Sequence, residues 1–125
     1  MKKLSILLIL TVALFGCSND NDSSGVKIRL SNASKFNFKN ITVNTSTGNV
    51  NFEDVSSGQK TSYKVFEYAY SYAFVELQID GKTYTLQPID YVGETTLEKG
   101  NYTYEITANE SQERQEKLGL KLIKD

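Results

Sequence analysis

The alternation of apolar and polar residues along most of the chain predicts an all-β protein, a single small β-sandwich of about seven strands. Two further observations agree with that class. Asp80-Gly81 separates two alternating runs, and clusters of Gly, Ser and Asn recur between short apolar stretches. The sandwich is expected over residues 26–125, behind a signal segment at 1–16 and a flexible tether at 17–25.

The signal segment opens with Lys2 and Lys3 and runs on through Leu4 to Phe15, apolar apart from Ser5 and Thr11. A membrane-spanning helix needs about 20 apolar residues and a secretory signal about 7–15. The run therefore suits a cleaved signal helix. A helix apolar on every side would otherwise need an enclosing core that the rest of the chain is too small to build. Leu14, Gly16 and Cys17 resemble the lipobox of bacterial lipoproteins, with an apolar residue, a small residue and then cysteine; Phe15 stands where the family usually carries a smaller side chain. The resemblance implies diacylglycerol on the Cys17 sulfur, cleavage before Cys17 and acylation of the new amine. It also implies an outer-membrane lipoprotein, on the periplasmic face or at the cell surface. Cys17 is the only cysteine, so no disulfide partner competes for it. Each buried methylene contributes about 0.8 kcal/mol, so several acyl chains on one residue anchor it durably.

The tether SNDNDSSG, residues 18–25, has no large apolar side chain and cannot offset its own chain entropy by burial. Fully extended at about 3.3–3.6 Å per residue, it lets the domain float within roughly 30 Å of the lipid. Ser18, Asp20 and Asp22 are similar to a diluted form of the acidic export signal of surface lipoproteins in one Gram-negative lineage. DNDSSG also opens like a calcium loop. Its twelfth position falls on Ser31, however, where a bidentate Glu is needed, and no helices are expected on either side.

Without the signal segment, 12 basic residues stand against 15 acidic ones, a net charge near −3. That balance lacks the basic face of a nucleic-acid binder, so no nucleic-acid partner is expected. The absence of histidine excludes Ser–His catalysis and histidine metal triads. Glu76, Asp90 and Glu94 read as solvated acids, not as a facing catalytic pair. No glycine loop suited to phosphate occurs, and the expectation is a non-enzyme without cofactor or metal. The N-x-[ST] sites at Asn21, Asn32, Asn40, Asn44, Asn101 and Asn109 read as Asn- and Thr-rich β composition.

The elements follow in order. Val26, Ile28 and Leu30 share one face of a first strand. Phe36 and Phe38 begin a second, which changes phase to Ile41 and Val43 and so predicts a bulge at Lys39-Asn40. Residues 46–49 form a turn, Val50 and Phe52 start a short strand, and 56–59 turn again before a strand in T-S-Y-K-V-F. Asp80-Gly81 predicts a type I′ hairpin that places Ile79 opposite Lys82, Leu77 opposite Tyr84 and Val75 opposite Leu86. Its buried face is then Val75, Leu77, Ile79, Tyr84 and Leu86; its wet face is Glu76, Gln78, Thr83, Thr85 and Gln87. Pro88 ends the strand and a loop runs through Ile89 to Glu94. A turn at Glu98-Lys99-Gly100 leads into a strand with Tyr102, Tyr104 and Ile106 on one face. Residues 109–117 are a loop or a frayed helical turn, and Leu118, Leu120 and Leu122 mark a last strand.

L-E-K-G-N-Y-T-Y-E-I is similar to the closing hairpin of immunoglobulin-like and transthyretin-like bacterial domains. I-R-L-S-N-A-S, the Gly-Gln and Tyr stretch after it and I-D-G-K look like an uncharacterised domain family of exported bacterial lipoproteins, over residues 26 to 107. The resemblance implies fold and compartment, and carries no catalytic residue.

One segment stands out, E-Y-A-Y-S-Y-A-F at 67–74. As a strand it lines Tyr68, Tyr70, Tyr72 and Phe74 on one face and Ala69, Ser71 and Ala73 on the other. Three readings are open: rings that fill the core or shield an edge, an exposed strip that binds a sugar or a partner chain, or a helix with Phe66, Ala69, Tyr70, Ala73 and Leu77 on one side. The expected function is a non-catalytic binding module for a protein or glycan partner, using Tyr68, Tyr70 and Tyr72 or the loop at 88–96. The alternative is a structural envelope component without a specific ligand.

Overall fold

The computed structural model describes residues 25–88 and 91–125. The signal segment, Cys17, the tether up to Ser24 and the loop residues Ile89 and Asp90 lie outside the described residues. Those described form eight strands: β1 Val26–Asn32, β2 Lys39–Asn44, β3 Asn49–Phe52, β4 Lys64–Phe66, β5 Phe74–Ile79, β6 Lys82–Leu86, β7 Gly100–Ala108 and β8 Leu118–Lys124. They make two four-stranded sheets, ordered β4-β1-β7-β8 and β3-β2-β5-β6. The protein is all-β. Only β1 and β7 pair in parallel; the other five pairs are antiparallel.

Period-2 patterning builds the core between the sheets. Ile28 and Leu30 come from β1, Ile41 and Val43 from β2, Val75 and Leu77 from β5, and Tyr104 and Ile106 from β7, all buried. The hairpin has the expected register, with Ile79 opposite Lys82, Leu77 opposite Tyr84 and Val75 opposite Leu86. Asp80 and Gly81 both take positive φ, 52° and 79°, as a type I′ turn requires. The phase change in β2 is also present: the register with β5 shifts between Lys39 and Thr42, and Asn40 sits at φ 52°.

Three local expectations need correction. Phe36 and Phe38 are not a strand. Phe38 makes one isolated bridge to Val55, while Asn32 holds the turn before it. That buried amide donates to the carbonyls of Phe36 (2.7 Å) and Val55 (3.1 Å) and accepts from Ser34 N (2.9 Å). The strand expected in T-S-Y-K-V-F shrinks to Lys64–Phe66 at the sheet edge, where it pairs only with β1. The hairpin's outer face, expected to be wet, is covered at Thr85. Residues 112–117 fold across the free edge of β6, Thr85 N donates to Arg114 O at 2.9 Å, and Arg114 reaches over to Glu76 at 2.9 Å.

The 109–117 segment is held by an unusual anchor. Lys117 is buried, its ammonium donating to the carbonyls of Asn109 (2.7 Å) and Ser111 (3.0 Å). The same ammonium sits over the rings of Phe36 (4.5 Å) and Tyr84 (5.1 Å). Two acceptors and two aromatic faces replace the water it has lost.

The register fixes which connections meet. Val26 lies opposite Phe66 and Gly100, Asn44 opposite Phe74 and Asn49, and Val75 opposite Leu86. The start of β1, the turn at 45–48, the crossover at 67–73 and the segment leading to β7 therefore share one end of the sandwich.

Candidate functional site

The aromatic segment is at that end. It is not the strand expected over 67–74: β5 begins only at Phe74, and residues 67–73 are an irregular crossover from the edge of one sheet to the interior of the other. A chain changing sheets has no neighbouring strand to pair with, so its polar backbone groups need other partners. Three consecutive carbonyls find them separately. Tyr68 O accepts from Thr45 Oγ1 (2.9 Å), Ala69 O from Leu97 N (2.8 Å) and Tyr70 O from the Tyr104 hydroxyl (2.7 Å). Nor is it a helix.

The expected inner face survives only in part without the ladder: Ser71, expected beside Ala69 and Ala73, is exposed. Ala69 and Ala73 are fully buried, small enough for the chain to close over the end of the core. Tyr68, Tyr70, Tyr72 and Phe74 are half-buried on the other side. The structure then adds a ring from the second segment singled out, the 88–96 loop. Tyr91 stacks on Tyr70 with centroids 4.4 Å apart and planes 14° apart, and on Tyr72 at 5.6 Å and 16°. Tyr68 meets Tyr70 edge-on at 6.0 Å. The two candidate segments are one structure, with Tyr91 at its centre. Tyr91 was legible as the one aromatic residue of the 88–96 loop, but nothing in the spacing tied it to residues about 20 positions upstream.

The stack is desolvated enough to change its chemistry. Burial pushes the Tyr91 phenol above its ordinary value; a backbone hydrogen bond at Phe74 opposes the shift, and the phenols of Tyr72 and Tyr70 add to it. The Tyr91 hydroxyl also donates to Asn44 O at 3.3 Å, which ties the loop to the end of β2. Beneath, burial pushes Tyr104 well above the usual phenol range, with Tyr91 adding and the Tyr70 backbone bond opposing. Tyr91 and Tyr104 therefore keep their protons at physiological pH. They serve contact and hydrogen bonding, not proton transfer.

Two shallow grooves flank Gln87-Pro88. One, of about 360 Å³, is lined by Tyr72, Ala73, Leu86, Gln87, Pro88 and Leu120. The other, of about 410 Å³, is lined by Asn44, Ser46, Asn49, Phe74, Gln87, Pro88 and Tyr91. Neither has a charged side chain among its described lining. Ring faces stacked on each other are already used, while Phe74 and Pro88 supply apolar surface inside the second groove.

No family model matches the chain, and no curated protein matches it. Among solved structures it is similar to a protein from Eubacterium rectale determined by NMR, with a TM-score of 0.54 and 20% identity, over 82% of this chain and 93% of that one. That likeness shows the β fold.

Proposed function

We propose that the protein is an outer-membrane lipoprotein, held by acyl chains on Cys17, whose sandwich is a non-catalytic binding module for a protein or glycan partner. Of the two sandwich types, the transthyretin-like one is preferred. β1 and β2 lie in opposite sheets, whereas the first two strands of an immunoglobulin domain share a sheet. The observation that carries the binding reading is the pair of uncharged grooves meeting at Gln87-Pro88 against a rigid tyrosine stack. The Asn44–Asn49 amide pair, bonded at 3.0 Å, and Gln87 beside Phe74 make a polar, uncharged wall that suits a neutral ligand, such as a glycan or an uncharged stretch of polypeptide.

The test is capture from intact envelopes with the lipidated protein, cross-linked in place. A doubly substituted Phe74→Ala, Gln87→Ala protein should lose the partners that the unaltered protein retains. Capture by both forms alike would favour the structural reading, in which the stack only clamps the 88–96 loop. Stacking that consumes the ring faces is what supports that second reading. The anchor is tested separately. Cys17→Ala should abolish palmitate labelling and shift the protein out of the membrane fraction.

A further inference from the structure

We propose that the turn at Tyr91–Glu94, together with the tyrosines packed beneath it, is a bilayer contact that sets the orientation of the sandwich on the membrane. The inference rests on the lipoprotein reading and adds a second attachment to it.

Position is the first argument. Gly25 is packed so tightly that an added Cβ would sit 2.3 Å from Phe66 O, so the described chain begins against the end of β4, from which the tyrosine crossover departs. The segment leading back to Cys17 thus leaves from the tyrosine end. Eight extended residues span at most roughly 30 Å, so the anchor keeps this end, more than the opposite one, within reach of the bilayer.

Shape is the second argument. Val92 is 87% exposed, against 58% for Val65 on the edge strand β4, the other large apolar side chain exposed among the described residues. It sits in a tight turn closed by Glu94 N donating to Tyr91 O at 2.9 Å, with Gly93 at φ 83°. Tyr91, the first residue of that turn, is gripped between Tyr70 and Tyr72. An apolar tip is therefore held outward on a rigid aromatic base, and tyrosine rings are the side chains that settle at the membrane–water interface. The affinity required is small, because the lipid anchor makes the contact intramolecular.

Charge identifies the kind of surface. Exposed Glu67, Glu94 and Glu98 stand near Lys99 and the half-buried Lys27, so both signs are present and no cationic patch forms. The contact is apolar and aromatic. It needs no anionic lipid and should resist salt.

The experiment uses the full acylated lipoprotein in phosphatidylethanolamine–phosphatidylcholine vesicles. With Cys17 blocked by lipid, Val92→Cys offers a single thiol for a small fluorophore, and Gln59→Cys reports from the opposite end. Lipids carrying a quencher near the headgroup should quench the label at 92 several-fold more than the label at 59, at low and high salt alike. In unlabelled protein, amide exchange across 91–94 should slow on vesicles relative to detergent, and Val92→Asp should remove that protection while membrane retention persists. Equal, weak quenching at both positions in retained protein overturns the contact and leaves the anchor standing. Protection that appears only when envelope protein is added assigns the tip to a protein partner, and also overturns it. Loss of the protein from vesicles with a bare Cys17 thiol overturns the lipoprotein reading and, with it, this one.

Discussion

Thr85 and Lys117 are buried polar residues with opposite accounts. The Thr85 hydroxyl has no hydrogen-bond partner among the described residues, although its backbone N–H is satisfied by Arg114 O. Removing an unmatched polar atom at constant shape recovers its desolvation cost, so Thr85→Val should stabilise the domain by about 1 kcal/mol. A melting temperature unchanged or lowered would show that the hydroxyl is satisfied in solution. Lys117 is fully matched, and its loss is expected to hurt. Lys117→Met keeps most of the volume but strips charged donors from the Asn109 and Ser111 carbonyls, at a cost of about 2 kcal/mol. The loop it secures covers Thr85, so amide exchange should rise first at residues 109–116. Neither residue was legible in the sequence. Thr85 obeyed the period-2 rule for a wet face, and what buried it came from a segment 27 or more positions later.

At the scale of elements, local chemistry was readable and long-range covering was not. The hairpin at Asp80-Gly81 was read to the residue pair because a two-residue turn fixes register from adjacent positions. The β2 bulge was equally visible, as a phase change within a few residues. The 67–73 segment misled for a physical reason. An extended crossover over the end of a core alternates buried and exposed side chains as a strand does, and only the absence of a pairing partner separates the two. Ala69 and Ala73 were therefore read correctly as the inner side within an element of the wrong type, Ser71 was not, and Tyr91 was placed in the loop without its partners. The same geometry makes a prediction. Ala73 is completely buried where the crossover rejoins β5, so Ala73→Leu should overpack the site and cost about 1–3 kcal/mol. Because residues 68–70 are pinned by Thr45, Leu97 and Tyr104, the strain should disturb the tyrosine stack before the hairpin. Near-ultraviolet tyrosine dichroism should change at a temperature well below global unfolding. A single coincident transition would show that the crossover and the sheets are one cooperative unit.

The whole molecule should respond to alkali in a way set by its phenols. Tyr63, Tyr91 and Tyr104 are all held above the ordinary tyrosine value of 10.0. The hydrogen bond to Asp125 is the chief cause at Tyr63, and burial is the chief cause at Tyr91 and Tyr104. In the unfolded chain these groups lose their protons near pH 10, while in the fold they keep them to higher pH. Over that interval the unfolded state binds fewer protons than the native state, so unfolding becomes easier as pH rises. Their contribution is complete below about pH 10 and disappears as pH climbs through the folded values. Tyr104 carries the largest of the three shifts and has a fully buried side chain. Tyr104→Phe should therefore lower stability at neutral pH by about 1 kcal/mol, through the lost bond to Tyr70 O, and flatten the alkaline decline. Melting temperatures of both proteins measured from neutral pH upward will show two lines converging above pH 10. Parallel lines would mean that the buried phenol already shares the unfolded chain's ionisation, and that water reaches the floor of the tyrosine stack.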